Sequence, residues 1–294
     1  MQLVAITIDL DELRFYRAIH GLPSGDGAAG HVVHDVAVPR AMEWATRLGI
    51  PLTFFVVGAD LDDDAVTLRL RSAIERGHAV ESHSLTHPYD LVRRTDREID
   101  REVRGSFARI AERLGERPRG FRAPGYTCDA RVLESVARAD AFDSSTLPSP
   151  AYWAAKVAAI GGLALRGKRS RAIIGSPRQA FAERSTHRLT RAAVLELPIA
   201  ATRGARIPII GTTLGWAGSV GAKWLVSQAS DLSLLNVELH GIDFLDRGDV
   251  PTELQSLPEL SRPLVSRLAA FQVALLGRRA VRLRDVAARA WRVD

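Results

Sequence analysis

The sequence predicts a parallel α/β fold of barrel size. Three observations carry this. Short β-branched apolar runs alternate with longer stretches of helical spacing. Glycine stands where helical stretches stop, at Gly49, Gly77 and Gly115. About seven such β/α units follow one another. With 294 residues, 46% hydrophobic and 25% charged, the chain carries enough apolar material for a large core, and a disordered chain is excluded.

Leu3–Ile8 (LVAITI) reads as a strand because β-branched residues fill it and acids end it. Ala37–Leu48 has helical spacing up to Gly49. Leu52–Val57 (LTFFVV) is the continuous apolar run of a strand covered on both faces. Ala65–Arg76 is helical up to Gly77, Ala79–Ser82 is a short strand, and Asp96–Leu114 is a long charged helix ended by Gly115. Arg119–Phe121 follows as a strand and Ala130–Ala139 as a helix. Beyond them, Val194–Leu197, Leu234–Leu239 and Val281–Leu283 predict strands, and Val220–Ala229, Pro263–Leu276 and Arg284–Trp291 predict helices. Two stretches break the rhythm. Leu13–His34 reads as a glycine-rich loop, and Leu147–Arg191 is too long for an ordinary connection. No linker divides the chain, so the expectation is one domain over 1–294 with a basic insertion at about 147–191.

The net charge of +6 is uneven: Leu147–Arg191 holds nine cations against Glu183 alone, leaving −2 on the remainder. The basicity is local, so no nucleic-acid partner is expected, and no protein partner is indicated. Cys128 is the only cysteine and excludes an intramolecular disulfide. Asp9 and Asp11 fall where the apolar part of a signal peptide would lie, which predicts a cytoplasmic protein. Ala151–Leu165 carries one charge and is followed by the cationic run Arg166–Arg171. It reads as a core helix before a solvated loop, or as a segment lying on the inner face of the membrane, with 151–191 the contact region.

Five short motifs carry chemistry. In Asp9-Leu10-Asp11 the two carboxylates share one strand face and suit a cation, or one ligand beside one base. In His83-Ser84-Leu85-Thr86-His87-Pro88 the histidines stand four apart, the spacing at which one helical turn presents both to a metal. Arg122-Ala123-Pro124-Gly125-Tyr126 joins a carboxylate-holding arginine to a turn whose Gly125 N–H can face an oxyanion. Asp143-Ser144-Ser145 follows, and His240 ends a strand. Trp216 is a candidate wall for a sugar site, while His20 and His34 read as exposed.

In this order the five motifs resemble the polysaccharide deacetylase, or NodB-homology, family of carbohydrate esterases, over about Leu3 to Phe244. The resemblance implies a distorted (β/α) barrel and metal-dependent removal of an N-acyl group, acetyl or formyl, from an amino sugar. It makes Asp11, His83 and His87 ligands of one divalent ion, best zinc, with cobalt, nickel or manganese as substitutes. It makes Asp9 the general base, Arg122 its partner, His240 the general acid and Asp143 the acid that tunes it. Gly125, Tyr126 and Trp216 fall to the oxyanion and substrate. The separated aspartates resemble the branch acting on smaller, lipid-linked or imide-type substrates. The expected partner is an N-acylated sugar, lipid-linked if segment 151–191 meets a membrane. The alternatives are a cyclic amide or other metabolite, or a non-catalytic binder.

Overall fold

The computed structural model describes residues 2–23, 30–190 and 192–290. The strands are β1 (Leu3–Asp9), β2 (Thr53–Val56), β3 (Ala79–Ser82), β4 (Gly120–Phe121), β5 (Phe142–Asp143), β6 (His187–Leu189), β7 (Val194–Glu196), β8 (Leu234–His240) and β9 (Arg279–Ala280). Between them run α1 (Leu13–Ile19), α2 (Val38–Leu48), α3 (Asp64–Glu75), α4 (Asp96–Leu114), α5 (Ala130–Arg138), α6 (Pro150–Leu165), α7 (Pro177–Ala180), α8 (Gly211–Ser227), α9 (Leu264–Gln272) and α10 (Leu283–Ala290).

One curled sheet holds all the strands in the order β6-β7-β5-β4-β3-β2-β1-β8, with β9 on the first residues of β1. Every pairing is parallel except β6 with β7. Pro198 has no N–H, so the ladder cannot simply continue past β7. The gap to β8 is spanned instead by Ala200 N–H donating to the Asn236 carbonyl at 2.8 Å and by the Asn236 side-chain amide donating to the Leu197 and Pro198 carbonyls at 3.0 and 3.2 Å. The result is the distorted, partly closed α/β barrel expected.

Strand periodicity then sets the two faces. Val4, Ile6 and Ile8 face outward and bury themselves against α2 and other outer elements. Ala5 points inward to Phe55, Phe142 and Leu197, and Thr7 and Asp9 continue the same inward row. Gly120 is required for this interior, because a Cβ there would meet the Phe142 ring at 2.1 Å.

Several expectations are corrected. Leu13–Ile19 is helical rather than loop, and residues 24–29 of the glycine-rich stretch lie outside the described residues. Helix α8 begins at Gly211, nine residues before the predicted start; its glycines mask the periodicity, and Gly218 has non-helical angles. The last strand is Arg279–Ala280, because Leu283 already starts α10; Trp291 of the predicted final helix lies outside the described residues. Strands β5 and β6 are too short to show a period. Helix α6 is not a core helix: none of its residues is buried. The cations Arg166, Lys168, Arg169 and Arg171 after it are exposed, and Arg191 lies outside the described residues. No described helix is long and apolar enough to cross a membrane.

Candidate active site

The strand ends of β1, β3, β4 and β8 converge on one polar cluster. Asp11 follows β1, and its Oδ1 lies 3.2 Å from Nε2 of both His83 and His87. His83 directly follows β3. His87 comes round by a bend rather than the helical turn expected: Ser84 and His87 both take the left-handed conformation, with φ of +65° and +59°. That strain is held by local bonds. His87 N–H donates to Ser84 Oγ at 3.0 Å, and the Glu102 carboxylate accepts from the Leu85 and Thr86 N–H groups at 3.1 and 2.8 Å.

These residues fit a divalent cation. All three are buried, and Asp11 Oδ1 and both ring nitrogens of His87 have no hydrogen-bond partner among the described residues. Tetrahedral zinc with ligand bonds of about 2.0–2.1 Å separates its ligand atoms by about 3.3 Å, close to the spacing found. His83 Nδ1 faces the Arg122 carbonyl at 2.8 Å, which fixes the tautomer that leaves Nε2 free to ligate. Burial pushes Asp11 up, but His87 and His83 overcome it and hold the carboxyl well below its usual range.

Arg122, fully buried, follows β4 and stacks on the Phe55 ring at 4.1 Å. Its Nη1 donates to Asp9 Oδ1 at 2.7 Å and to Thr7 Oγ1 at 3.0 Å; Nε and Nη2 donate to the carbonyl and hydroxyl of Ser144 at 3.0 and 2.9 Å. All these partners are inward-facing, which satisfies the guanidinium inside the barrel. Burial raises the Asp9 carboxyl against the pull of Arg122 and His83. Its Oδ2 lies 3.8 Å from His83 Nε2, beside the Asp11–His83–His87 cluster.

His240 is opposite Asp9 in the β1–β8 register. The carboxylate beside it is Glu238, not Asp143: Glu238 Oε1 lies 2.9 Å from His240 Nδ1 and also accepts from Tyr126 Oη at 2.9 Å. Glu238 was missed in the sequence, although residues two apart on a strand share a face. Burial disfavours the imidazolium of His240, but Glu238 overrides it and raises the pKa well above the ordinary histidine value. Asp143 accepts instead from Ser145 N–H and Oγ at 3.1 and 2.7 Å and is paired in register with Glu196. Burial and the charge of Asp143 push Glu196 well above its usual range.

Gly125 takes φ +61°, and a Cβ there would lie 3.2 Å from Tyr89. Its carbonyl accepts from Lys156 Nζ of α6 at 2.9 Å. Partial burial lowers the Lys156 pKa to about 8. Above the site lies a largely apolar cavity of ≈ 740 Å³, walled by α6 with Tyr152, Lys156 and Leu163 and by α8 with Trp216. Tyr152 packs edge-on to Tyr126, linking this cavity to His240. His20 also lines it, half-buried, and His34 is fully buried, so neither is the exposed histidine expected.

Residues 29–141 match the polysaccharide deacetylase family, a span holding His83, His87, Arg122, Gly125 and Tyr126. Over 117 residues the chain is 30% identical to a chitooligosaccharide deacetylase of Bradyrhizobium sp. (strain ANU 289), covering 40% of this chain and 52% of that protein; it thus spans about half the length of this curated relative. In structure, 99% of the chain aligns with 91% of a Mycobacterium smegmatis protein assigned as a polysaccharide deacetylase, at 17% identity and a TM-score of 0.58, a likeness of fold.

Proposed function

We propose, from the premise that the chain belongs to the polysaccharide deacetylase, or NodB-homology, family of carbohydrate esterases, that it is a metal-dependent hydrolase removing an N-acetyl or N-formyl group from an amino sugar. The observation that carries this reading is the Asp11–His83–His87 cluster, flanked by an Arg122-held carboxylate and a Glu238-held imidazole.

Asp11, His83 and His87 would hold a divalent ion, which when bound would supply Lewis-acid polarisation of the scissile carbonyl and a more acidic water. Zinc suits two imidazoles and a carboxylate best; cobalt, nickel or manganese accept the same donors. Asp9 takes the proton from the attacking water, and Arg122 keeps its carboxylate aimed. Gly125 N–H and Tyr126 line the place where negative charge develops on the acyl oxygen. His240, kept protonated by Glu238, hands its proton to the departing amine nitrogen, without which an amide does not cleave.

The apolar cavity beside this centre supports a lipid-linked sugar over a free one, with Lys156 and Arg166 among its cationic lining. In that reading the enzyme works on the cytoplasmic side, touching the membrane surface through 151–191. The test is acyl release from matched N-acetyl and N-formyl amino sugars, each free and as a polyprenyl-phosphate conjugate, with Asp9→Ala as blank. Release from the conjugate alone supports the lipid-linked form. Release from free sugars keeps the chemistry and removes the lipid. Release from neither, with metal bound, overturns the sugar substrate and moves weight to small cyclic amides.

A further inference from the structure

A second group of metal-type donors lies on the other side of β1 and is used by none of the chemistry above. Glu12, His31 and His34 place one ligand atom each within 4.8 Å of one another. Glu12 Oε1 is 4.0 Å from His31 Nδ1 and 4.0 Å from His34 Nε2. The latter nitrogen is also 3.4 Å from Asp60 Oδ2, which brings in the turn after β2. The imidazoles are tilted edge to face, 5.8 Å between centroids.

Three features make this more than a buried polar network. Glu12 is buried, and among the described residues its carboxylate meets no arginine or lysine: it faces the two histidines and accepts from the Val33 and His34 N–H groups at 3.3 and 3.1 Å. Two imidazoles and two backbone N–H groups are thus all that face its charge, which leaves a buried carboxylate under-compensated. Second, His31 Nδ1, the nitrogen that faces Glu12, is buried and has no hydrogen-bond partner among the described residues. An unpaired buried nitrogen aimed at an under-compensated carboxylate is the arrangement a cation repairs. Third, His34 is completely buried and Asp60 almost so, while the His31 side chain keeps 28% of its surface, giving an ion a way in.

We propose that Glu12, His31 and His34, with the Arg14-paired Asp60 at the edge of the group beside His34, form a second divalent-metal site. Two imidazoles and a carboxylate oxygen suit zinc or cobalt. The ion ties the end of β1, the chain at His31–His34 and the turn after β2 together at the mouth of the barrel.

The experiment is metal analysis of the full chain, stripped by chelator, reloaded with zinc and desalted. The proposal expects two equivalents in the wild type, one in His31→Gln, one in His83→Ala and none in the double variant. If His31→Gln holds as many ions as the wild type, the proposal is overturned. One equivalent lost only in His83→Ala also overturns it. One equivalent lost only in His31→Gln supports this site and overturns the catalytic one, so the two failures are distinguishable. Should His31→Gln not fold, cadmium-113 spectra of the unaltered protein decide: two resonances support the second site, and one resonance that persists in Glu12→Gln overturns it.

Discussion

Glu238→Gln isolates the partner of His240 with little change of shape. The Nδ1···Oε1 separation is 2.9 Å, Glu238 is fully buried, and the His240 side chain retains 22% of its surface. A hydrogen bond to a charged partner is worth about 1.5–3 kcal/mol, which at about 1.4 kcal/mol per pH unit is a fall of about 1–2 units in the His240 pKa. Simple Coulomb attraction at about 4 Å and an effective dielectric of about 20 gives about 4 kcal/mol, capping the fall near 3 units. The variant keeps a carbonyl oxygen for Tyr126 Oη, so the local scaffold is preserved. The assay is an NMR titration of His240 in wild type and variant, followed by the pH profile of acyl release. A general acid works protonated, so the alkaline limb should move to lower pH by the same interval. Linkage requires the same sign in stability: the raised folded pKa stabilises fully below the unfolded value and is lost as pH rises through the folded one, so the variant loses that increment earlier. An unmoved His240 midpoint refutes the pairing, and a moved midpoint with an unmoved alkaline limb refutes its role as acid.

Four further outcomes follow from the same geometry. His83→Ala should remove the ion from the Asp11 cluster, checked by metal content at unchanged far-UV dichroism. Arg122→Ala strands the buried Asp9 carboxylate and should cost about 3–5 kcal/mol in urea unfolding, besides abolishing turnover. Gly125→Ala meets Tyr89 in a backbone conformation that favours glycine, so turnover should fall while melting drops by a few degrees at most. Glu196→Gln should stabilise the fold by about 1 kcal/mol at pH 8, the gain growing with pH because the raised carboxyl of Glu196 costs stability as pH climbs above its unfolded value; melting temperatures at pH 5 and 8 test this.

The barrel was legible because β1, β2, β3 and β8 are long or apolar enough to show their period, and the long helices carry clear stops such as Gly115, left-handed at φ +74°. The short β5 and β6 leave no period to read, and the glycines of α8 hide a helix that packing against α9 secures. The His83–His87 pair was legible from spacing and Asp11 beside it from the resemblance, though the bend that joins the histidines was not. The partner of His240 was assigned to Asp143 by resemblance; the strand-alternation rule applied to Glu238-Leu239-His240 would have found the acid the structure puts there. The Glu12–His31–His34 group escaped notice because its members are separated by a stretch with no regular signal, and only folding brings them together.

The way the barrel closes has a mechanical consequence. Between β7 and β8 the seam rests on a few bonds around the Asn236 side chain, whereas β1 and β8 are zipped over seven residue pairs from Leu3↔Leu234 to Asp9↔His240. This sparser side of β8 therefore runs beside the reacting groups, while the long ladder holds Asp9 opposite His240. An opening along it would leave the Asp9–His240 spacing to the β1–β8 ladder. The fold thus separates the part that yields from the part that aims, and in hydrogen exchange the amides around Ala200 should open well before those of β1.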